Sequence, residues 1–221
     1  MRIKVRIWDL PTRLFHWALV ICVLGLVITS QIGGNAMDWH FRLGYGVLTL
    51  LLFRFIWGFM GGYWSRFSSF FYSPAAIYRY VRDANMRSPS LGHNPLGATS
   101  VYAMLILLLL QVGTGLVSDD EIAAAGPLSK HLASAWVSQA TFYHSEIGKL
   151  LILALVGLHL AAVLFHQFKK REDLVRPMIS GDKALDSPAA ASRDDAKSRS
   201  LALVLLALCA ALVAGLLQLA R

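Results

Sequence analysis

The stretch FYHSEIGKLLILALVGLHLAAVLFHQFKK, from Phe142 to Lys170, carries the clearest information about the fold. Its apolar run is about as long as the roughly 20 residues that a helix needs to cross a bilayer, and basic residues follow it. The stretch also carries His144, His159 and His166. Histidine is costly in hydrocarbon unless it has a partner there. The stretch therefore predicts a transmembrane helix whose histidines have a function.

The composition places the rest of the chain in a membrane as well. Of the 221 residues, 56% are hydrophobic, and the mean hydropathy of +0.54 lies outside the range of soluble globular domains. We predict an all-α integral membrane protein with a four-helix transmembrane core and one additional C-terminal helix. The predicted parts are a core at 1–180 with spans at about 14–29, 41–60, 100–117 and 146–168, a polar flexible cytoplasmic linker at 181–200, and a transmembrane anchor at 201–221.

The distribution of charge predicts the orientation of the chain. The formal net charge is +8, yet the basic residues follow the connections and do not gather in one patch, which argues against a nucleic-acid partner. The connections at 30–39 and 118–143 contain only one basic residue, Lys130. The positive-inside rule therefore places the N-terminus in the cytoplasm and the C-terminal Arg221 on the opposite side, in the periplasm or at the cell exterior. The cytoplasmic basic residues include Arg2, Lys4, Arg6, Arg13, Arg66, Arg79, Arg82, Arg87, Lys169, Lys170, Arg171 and Arg176.

The connection at 61–99 alternates aromatic residues with arginines. This pattern predicts an amphipathic helix that begins after Ser73, with Pro74 as its first residue. We expect this helix to lie on membrane lipid at the inner leaflet.

Histidines at two depths predict two cofactor sites. On an ideal helix, His159 lies about 60° around and roughly 22 Å along from His144. His40 begins the second span and His16 lies just inside the first, so we pair His40 with His144 in an outer site and His16 with His159 in an inner site. His166 is the alternative inner ligand. An interfacial residue that meets water is the alternative interpretation of His16.

Paired imidazoles inside a membrane favour haem over a zinc or copper ion. A closed zinc site gathers about four nitrogen or sulfur ligands, whereas these histidines form two separate pairs without Cys or carboxylate at their level. Two axial imidazoles suit haem iron and leave it no open position, which favours electron transfer. The chain has no C-x-x-C-H motif, so the predicted four-helix haem-binding bundle holds two haem b groups non-covalently.

Two arginines and one further histidine are candidate neighbours of the cofactors. Arg54 lies within about 40° of the helix face of His40, which makes it a candidate partner for a haem propionate; the alternative is an arginine that extends toward the headgroups. Arg13 is a second candidate propionate partner. His93, in a turn before the third span, is interpreted either as a solvated loop residue or as a neighbour of a quinone or propionate.

Several motifs together resemble one known family. The segments RIWDLPTRLFHW (6–17), RFIWGFMGG (54–62), GHNP (92–95) and GLHLAAVLFH (157–166) look like the bacterial cytochrome b561 family, which includes the b-type cytochrome subunits of nickel–iron hydrogenases. The resemblance covers about residues 6–180. It implies a core with two b haems, ligated at positions that match His16, His40, His144 and His159, and electron exchange between the quinone pool and a redox partner. The family separates its last two ligands by one residue fewer, so Ser145 predicts a bulge or a shifted helix start.

Three functions compete at this point. The leading hypothesis is an electron-transfer subunit, without catalytic residues, that connects quinone with a periplasmic c-type cytochrome, hydrogenase or other dehydrogenase. A stand-alone superoxide:quinone oxidoreductase is the alternative, and a haem-free metal transporter is the remote one. Whether the chain is an enzyme by itself stays open, as does its oligomeric state.

Overall fold

The computed structural model describes residues 3–83, 91–122 and 124–220, and most of these residues are helical. Arg2, Arg87 and Arg221, which enter the charge argument, lie outside the described residues. The described elements, in chain order, are β1 (Ile3–Arg6), α1 (Leu10–Ile32), α2 (Met37–Met60), α3 (Pro74–Arg82), α4 (Pro95–Val117), α5 (Ser134–Phe142), a π-helix (Tyr143–Gly148), α6 (Lys149–Phe168), α7 (Val175–Ser180), β2 (Asp182–Leu185) and α8 (Ala196–Leu219), with short 3₁₀ turns between some of them.

Five helical stretches of the described residues are long and apolar enough to cross a membrane. They are α1, α2, α4, the continuous stretch Ser134–Phe168 and α8. The four core spans predicted from hydropathy lie inside the first four stretches, although the helices extend further, as α1 does to Leu10. The anchor predicted at 201–221 overlaps α8, which begins earlier, at Ala196, and ends at Leu219. The predicted all-α integral membrane fold is confirmed.

Local sequence signals explain where two helices begin. The Thr12 N–H donates to Asp9 Oδ1 over 2.8 Å, so Asp9 caps α1. The Ala76 N–H donates to Ser73 Oγ over 3.2 Å, and Pro74 is the first residue of α3. The helix predicted after Ser73 is therefore confirmed.

The chain divides into two compact units. Unit 1 contains Met1–Leu14, Arg54–Ala103 and Val156–Leu203, and unit 2 contains Phe15–Phe53, Met104–Leu155 and Val204–Arg221.

Unit 1 contains a small two-stranded sheet. β1 pairs antiparallel with β2, so that Ile3 lies opposite Leu185 and Arg6 opposite Asp182. The neighbouring residues Val5, Ile7 and Trp8 are buried together. The sheet thus fixes the N-terminus to a segment that comes after the fourth span.

The segment 181–200 differs from the flexible linker that its composition predicts. Besides β2, it contains Asp194, which accepts hydrogen bonds from the Leu10 N–H over 3.1 Å and from Arg199 Nε over 2.9 Å. The Ser192 hydroxyl donates to the Ile7 carbonyl over 2.6 Å. Burial raises the pKa of Asp194, but the hydrogen bonds from Arg199 and Leu10 and the nearby positive charges outweigh it, so that the pKa lies below its usual value. An ionised Asp194 therefore helps to hold this segment in place.

Unit 2 has an apolar core to which the last helix contributes. The residues of this core are Val47, Leu48 and Leu51 of α2, Leu108 and Val112 of α4, and Val213 of α8. Helix α8 is therefore packed through Val213, in addition to being the fifth apolar helix.

Candidate functional site

The structure brings His40 and His144 together in unit 2. Their ring centroids lie 6.1 Å apart, and the ring planes are at 82° to each other. His40 lies in the first turn of α2, and His144 lies in the π-helix. Both side chains are half-buried. The two residues predicted to share the outer site thus lie side by side, with their ring planes nearly perpendicular.

Backbone carbonyls fix the tautomer of both rings. His144 Nδ1 lies 2.8 Å from the Gln111 carbonyl, and His40 Nδ1 lies 3.1 Å from the Leu26 carbonyl. A carbonyl oxygen only accepts hydrogen bonds, so each Nδ1 carries the proton and donates it. Each Nε2 then has a lone pair, which is the form that binds a metal.

The donor set fits haem. The two ring centroids are 6.1 Å apart, and each ring keeps an unprotonated Nε2, so the pair would supply two imidazole nitrogens to one metal ion. Within the described residues, no group of three or more His, Cys, Asp or Glu side chains could hold a metal ion. A pair of imidazoles suits a metal whose other ligands come from a porphyrin ring.

His144 owes its position to the π-helix at Tyr143–Gly148. A π turn takes one residue more than an α turn, so it rotates the residues before it by roughly 100° relative to an uninterrupted helix. The hydroxyl of Ser145, within this turn, donates to the carbonyl of Thr141, near the end of α5, over 2.9 Å. The bulge predicted at Ser145 is confirmed, and it determines which way His144 points.

Glycine at position 115 leaves the space that the His144 ring occupies. A Cβ atom at Gly115 would lie 2.7 Å from Cε1 and 3.0 Å from Nδ1 of His144. Carbon atoms in ordinary contact are farther apart than that. Gly115 and Gln111, both on α4, are the residues that meet His144.

The two residues predicted for the inner site belong to different units. His16, in unit 2, places its ring edge against Trp17, with centroids 5.0 Å apart. His159, on α6, is a half-buried residue of unit 1. Their pairing stays a prediction.

His166, the alternative inner ligand, takes part in an ion-pair network at the end of α6. Its Nδ1 lies 3.0 Å from one oxygen of Glu172, and Lys183 Nζ lies 2.8 Å from the other. Burial raises the pKa of Glu172, but the hydrogen bonds and charges of Lys183 and His166 lower it further, so its pKa lies below its usual value. The network connects α6 with β2.

Arg54 lies in a buried polar cluster of unit 1. Only 3% of its surface is exposed, its NH1 donates to the Ser65 carbonyl over 3.0 Å, and its guanidinium carbon lies 4.9 Å from the centre of the Phe67 ring. The fully buried Asp9 accepts from Trp57 Nε1 over 3.2 Å and from the Gly62 N–H over 2.8 Å. Sequence reasoning missed this role of Asp9, whose signal was an acidic residue directly before a helix.

His93 is packed between aromatic rings. Its ring centre lies 4.8 Å from that of Trp8 and 4.6 Å from that of Phe70, and the Tyr72 hydroxyl donates to its carbonyl over 2.9 Å. Burial, followed by the charge of Arg54, lowers the pKa of His93 to about 3. The interpretation of His93 as a solvated loop residue is therefore wrong, and its ring is neutral near pH 7.

Arg13 also has partners in unit 1. Its NH1 donates to the Ile179 carbonyl, and its NH2 lies 3.9 Å from Asp194. It therefore helps to join the start of α1 to the segment around β2.

Comparisons with known proteins give a family and named relatives. The family described as prokaryotic cytochrome b561 matches residues 7–181. A protein of Bradyrhizobium diazoefficiens named "Probable Ni/Fe-hydrogenase B-type cytochrome subunit" is 22% identical to this chain. The alignment covers 82% of this chain and 87% of that protein. Proteins with the same name from Rhizobium leguminosarum bv. viciae and Rhodobacter capsulatus are 24% and 26% identical, each over 82% of this chain and over 90% and 82% of their own lengths. No solved structure gives a significant match.

Proposed function

The chain belongs to the prokaryotic cytochrome b561 family, and from this premise we propose that it binds two haem b groups and carries electrons across the membrane between quinone and a periplasmic redox partner. Haem b supplies a reversible one-electron oxidation and reduction of its iron. The protein would hold the two groups at different depths through pairs of histidines, His40 with His144 and His16 with His159.

The observation that carries the proposal is the His40–His144 pair. Both rings present Nε2 as the unprotonated nitrogen, and their centroids are 6.1 Å apart. His40 and His144 would hold the haem iron through their imidazoles, and a haem held by two histidines would transfer electrons rather than react with oxygen. The carbonyls of Leu26 and Gln111 hold the rings in that tautomer and raise their basicity.

The second haem is assigned to His16 and His159, with His166 as the alternative to His159. His159 is favoured because His166 already binds Glu172 at the end of α6. Arg54 and Arg13 are the candidate partners for propionates, although each also donates to a backbone carbonyl, of Ser65 and Ile179 respectively.

Quinone and a periplasmic protein are the proposed redox partners. Several relatives are named as hydrogenase subunits, so a hydrogenase is the first candidate, and a c-type cytochrome or another dehydrogenase is the second. His93 is the candidate neighbour of the quinone because its neutral ring is packed with aromatic residues. The charge distribution supports a bacterial inner membrane with the N-terminus in the cytoplasm, which puts the His40–His144 pair on the periplasmic side.

The decisive experiment is a haem count on the purified full chain by the pyridine haemochrome method. We expect two haems per chain, and one in His144→Ala. The matched control is His131→Ala, which removes an exposed histidine from the connection before α5 and should leave two. A count of one or none in the unchanged protein would contradict the proposal.

A second experiment separates a subunit from a stand-alone oxidoreductase. An electron-transfer subunit should copurify with a periplasmic redox protein and reduce quinone only when that protein is supplied with its substrate. Superoxide-dependent quinone reduction by the isolated chain would favour the stand-alone enzyme.

A further inference from the structure

Gln111 and His144 are joined by two hydrogen bonds that run in opposite directions. His144 Nδ1 donates to the backbone carbonyl of Gln111 over 2.8 Å. The side-chain Nε2 of Gln111 donates to the backbone carbonyl of His144 over 2.9 Å. The side chain of each residue thus binds the backbone of the other, which restrains both the ring of His144 and the turn that carries it.

The second of these bonds holds a backbone group of the π-helix. A π turn has its own hydrogen-bond spacing, and such turns are frequent at functional sites. The Gln111 amide, which comes from a different helix, binds the carbonyl of the ligand residue itself. The amide therefore restrains the π-helix at His144, the residue whose ring orientation matters for ligation.

The packing leaves the Gln111 amide little freedom. A Cβ atom at Gly148 would lie 2.0 Å from Gln111 Oε1 and 2.8 Å from the Tyr143 ring, so only glycine leaves room for the amide there. Gln111 Oε1 is buried and makes no hydrogen bond to the described residues. The amide nitrogen does have a partner, the His144 carbonyl, and this hydrogen bond holds the amide.

We propose that Gln111 is a positioning residue that, through the π-helix, sets the orientation and the basicity of the His144 imidazole and so lowers the reduction potential of the haem bound there. The inference rests on the proposed haem ligation by His144. A hydrogen bond from Nδ1 to a carbonyl makes the imidazole a stronger donor, which favours the more highly charged ferric iron. Without the hydrogen bond from the Gln111 side chain, the π-helix can relax. The hydrogen bond from His144 Nδ1 to the Gln111 carbonyl then weakens, and the reduction potential of the haem rises.

The expected size of the change in reduction potential follows from the known effect of residues that orient a metal ligand through hydrogen bonds. Their loss typically changes metal affinity by about tenfold or more. A tenfold loss in the preference for ferric over ferrous haem corresponds to about 59 mV for a one-electron couple. We therefore expect one haem potential to rise by about 59 mV and the other to stay unchanged.

The test uses the full chain with Gln111→Met, which removes the amide and keeps a similar volume. The control is Gln139→Met, the same change at an exposed position of α5. The readouts are the haem count, the two midpoint potentials and the low-spin ferric signals in electron paramagnetic resonance. We expect two haems in both variants, with the shifted potential and a changed low-spin signal only in Gln111→Met.

A second variant decides the question if Gln111→Met does not keep its haem. Gly148→Ala keeps the glutamine at position 111, but the added Cβ displaces its amide. It should therefore also raise the reduction potential of the haem at His144. Unchanged potentials and spectra in the haem-containing variants, matching Gln139→Met, overturn this inference alone. A wild-type chain without haem at His144 overturns the proposed function together with this inference.

Discussion

Replacement of Gly115 by alanine should remove or weaken the haem at His144. The added Cβ would lie 2.7 Å from His144 Cε1, whereas ordinary van der Waals contact begins at 3.4 Å. The ring must therefore move by about 0.7 Å, the difference between the two distances. Metal–ligand distances tolerate roughly 0.2 Å, so a ring displaced by this amount and held by the Gln111 carbonyl would bind the iron in a distorted geometry or lose it.

Gly113 provides the matched control on the same helix. It is exposed, and nothing lies within 4 Å of the position of its Cβ. Two residues along a helix lie about 200° apart, so the two substitutions point to different faces. Alanine is favoured over glycine in a helix by roughly 0.5–1 kcal/mol, so Gly113→Ala should be more stable by that amount. In Gly115→Ala the same gain is opposed by overpacking against His144, which costs about 1–3 kcal/mol.

The assay is the haem count per chain, followed by thermal unfolding of the purified protein. Gly113→Ala should keep two haems and unfold at the same or a slightly higher temperature. Gly115→Ala should keep one haem, or two with an altered low-spin signal at the His40–His144 site. Two haems with the signals of Gly113→Ala would refute the reasoning, because they would show that the ring does not need the space at Gly115.

Three further predictions address other parts of the chain. His159→Ala should lose one haem while His166→Ala keeps both, as measured by the haem count; loss only in His166→Ala would transfer the inner ligand to that residue. Asp9→Ala should lower the free energy of unfolding by about 1–3 kcal/mol, because it leaves buried N–H donors without an acceptor. Asp38→Ala, at the exposed start of α2, is the control. Equal melting temperatures for these two variants would contradict the role of Asp9. Asp194 has a lowered pKa, so its contribution to stability is complete above its unfolded pKa of about 3.8 and is lost as the pH falls through the lower folded value. Limited proteolysis at 182–195 should accelerate in that acid range, and the same acceleration in Asp194→Asn would exclude this cause.

Hydropathy and local signals predicted most of the fold. The apolar spans appear as five long helices, and Ser73 and Pro74 begin α3 as their residue types require. These predictions depend only on neighbouring residues, because a helix makes its backbone hydrogen bonds within itself. The segment 181–200 was different: its polar composition predicts a flexible linker, but β2 pairs with a strand near the N-terminus, and pairing between distant segments leaves no local signal.

The candidate site was partly predictable because the depth of a residue along its span can be read from the sequence. Depth along the spans indicated that His40 and His144 lie at one level, and the structure places their rings together. The spacing around Ser145 indicated a bulge but not the direction in which it turns His144. Gln111 gave only the weak signal of one amide in an apolar span, since its contact with His144 joins two helices.

A membrane-spanning helical chain and the histidines that are candidates for binding haem can be identified from the residues alone, because burial in lipid and helical rise act on each segment separately. The orientation of His144 depends instead on the π-helix, the Gln111 amide and the space at Gly115. Those three features depend on the packing of α4 against the residues around His144, which no single segment contains. Metal ligation requires side chains to be placed to within a few tenths of an ångström, and contacts between helices provide that precision.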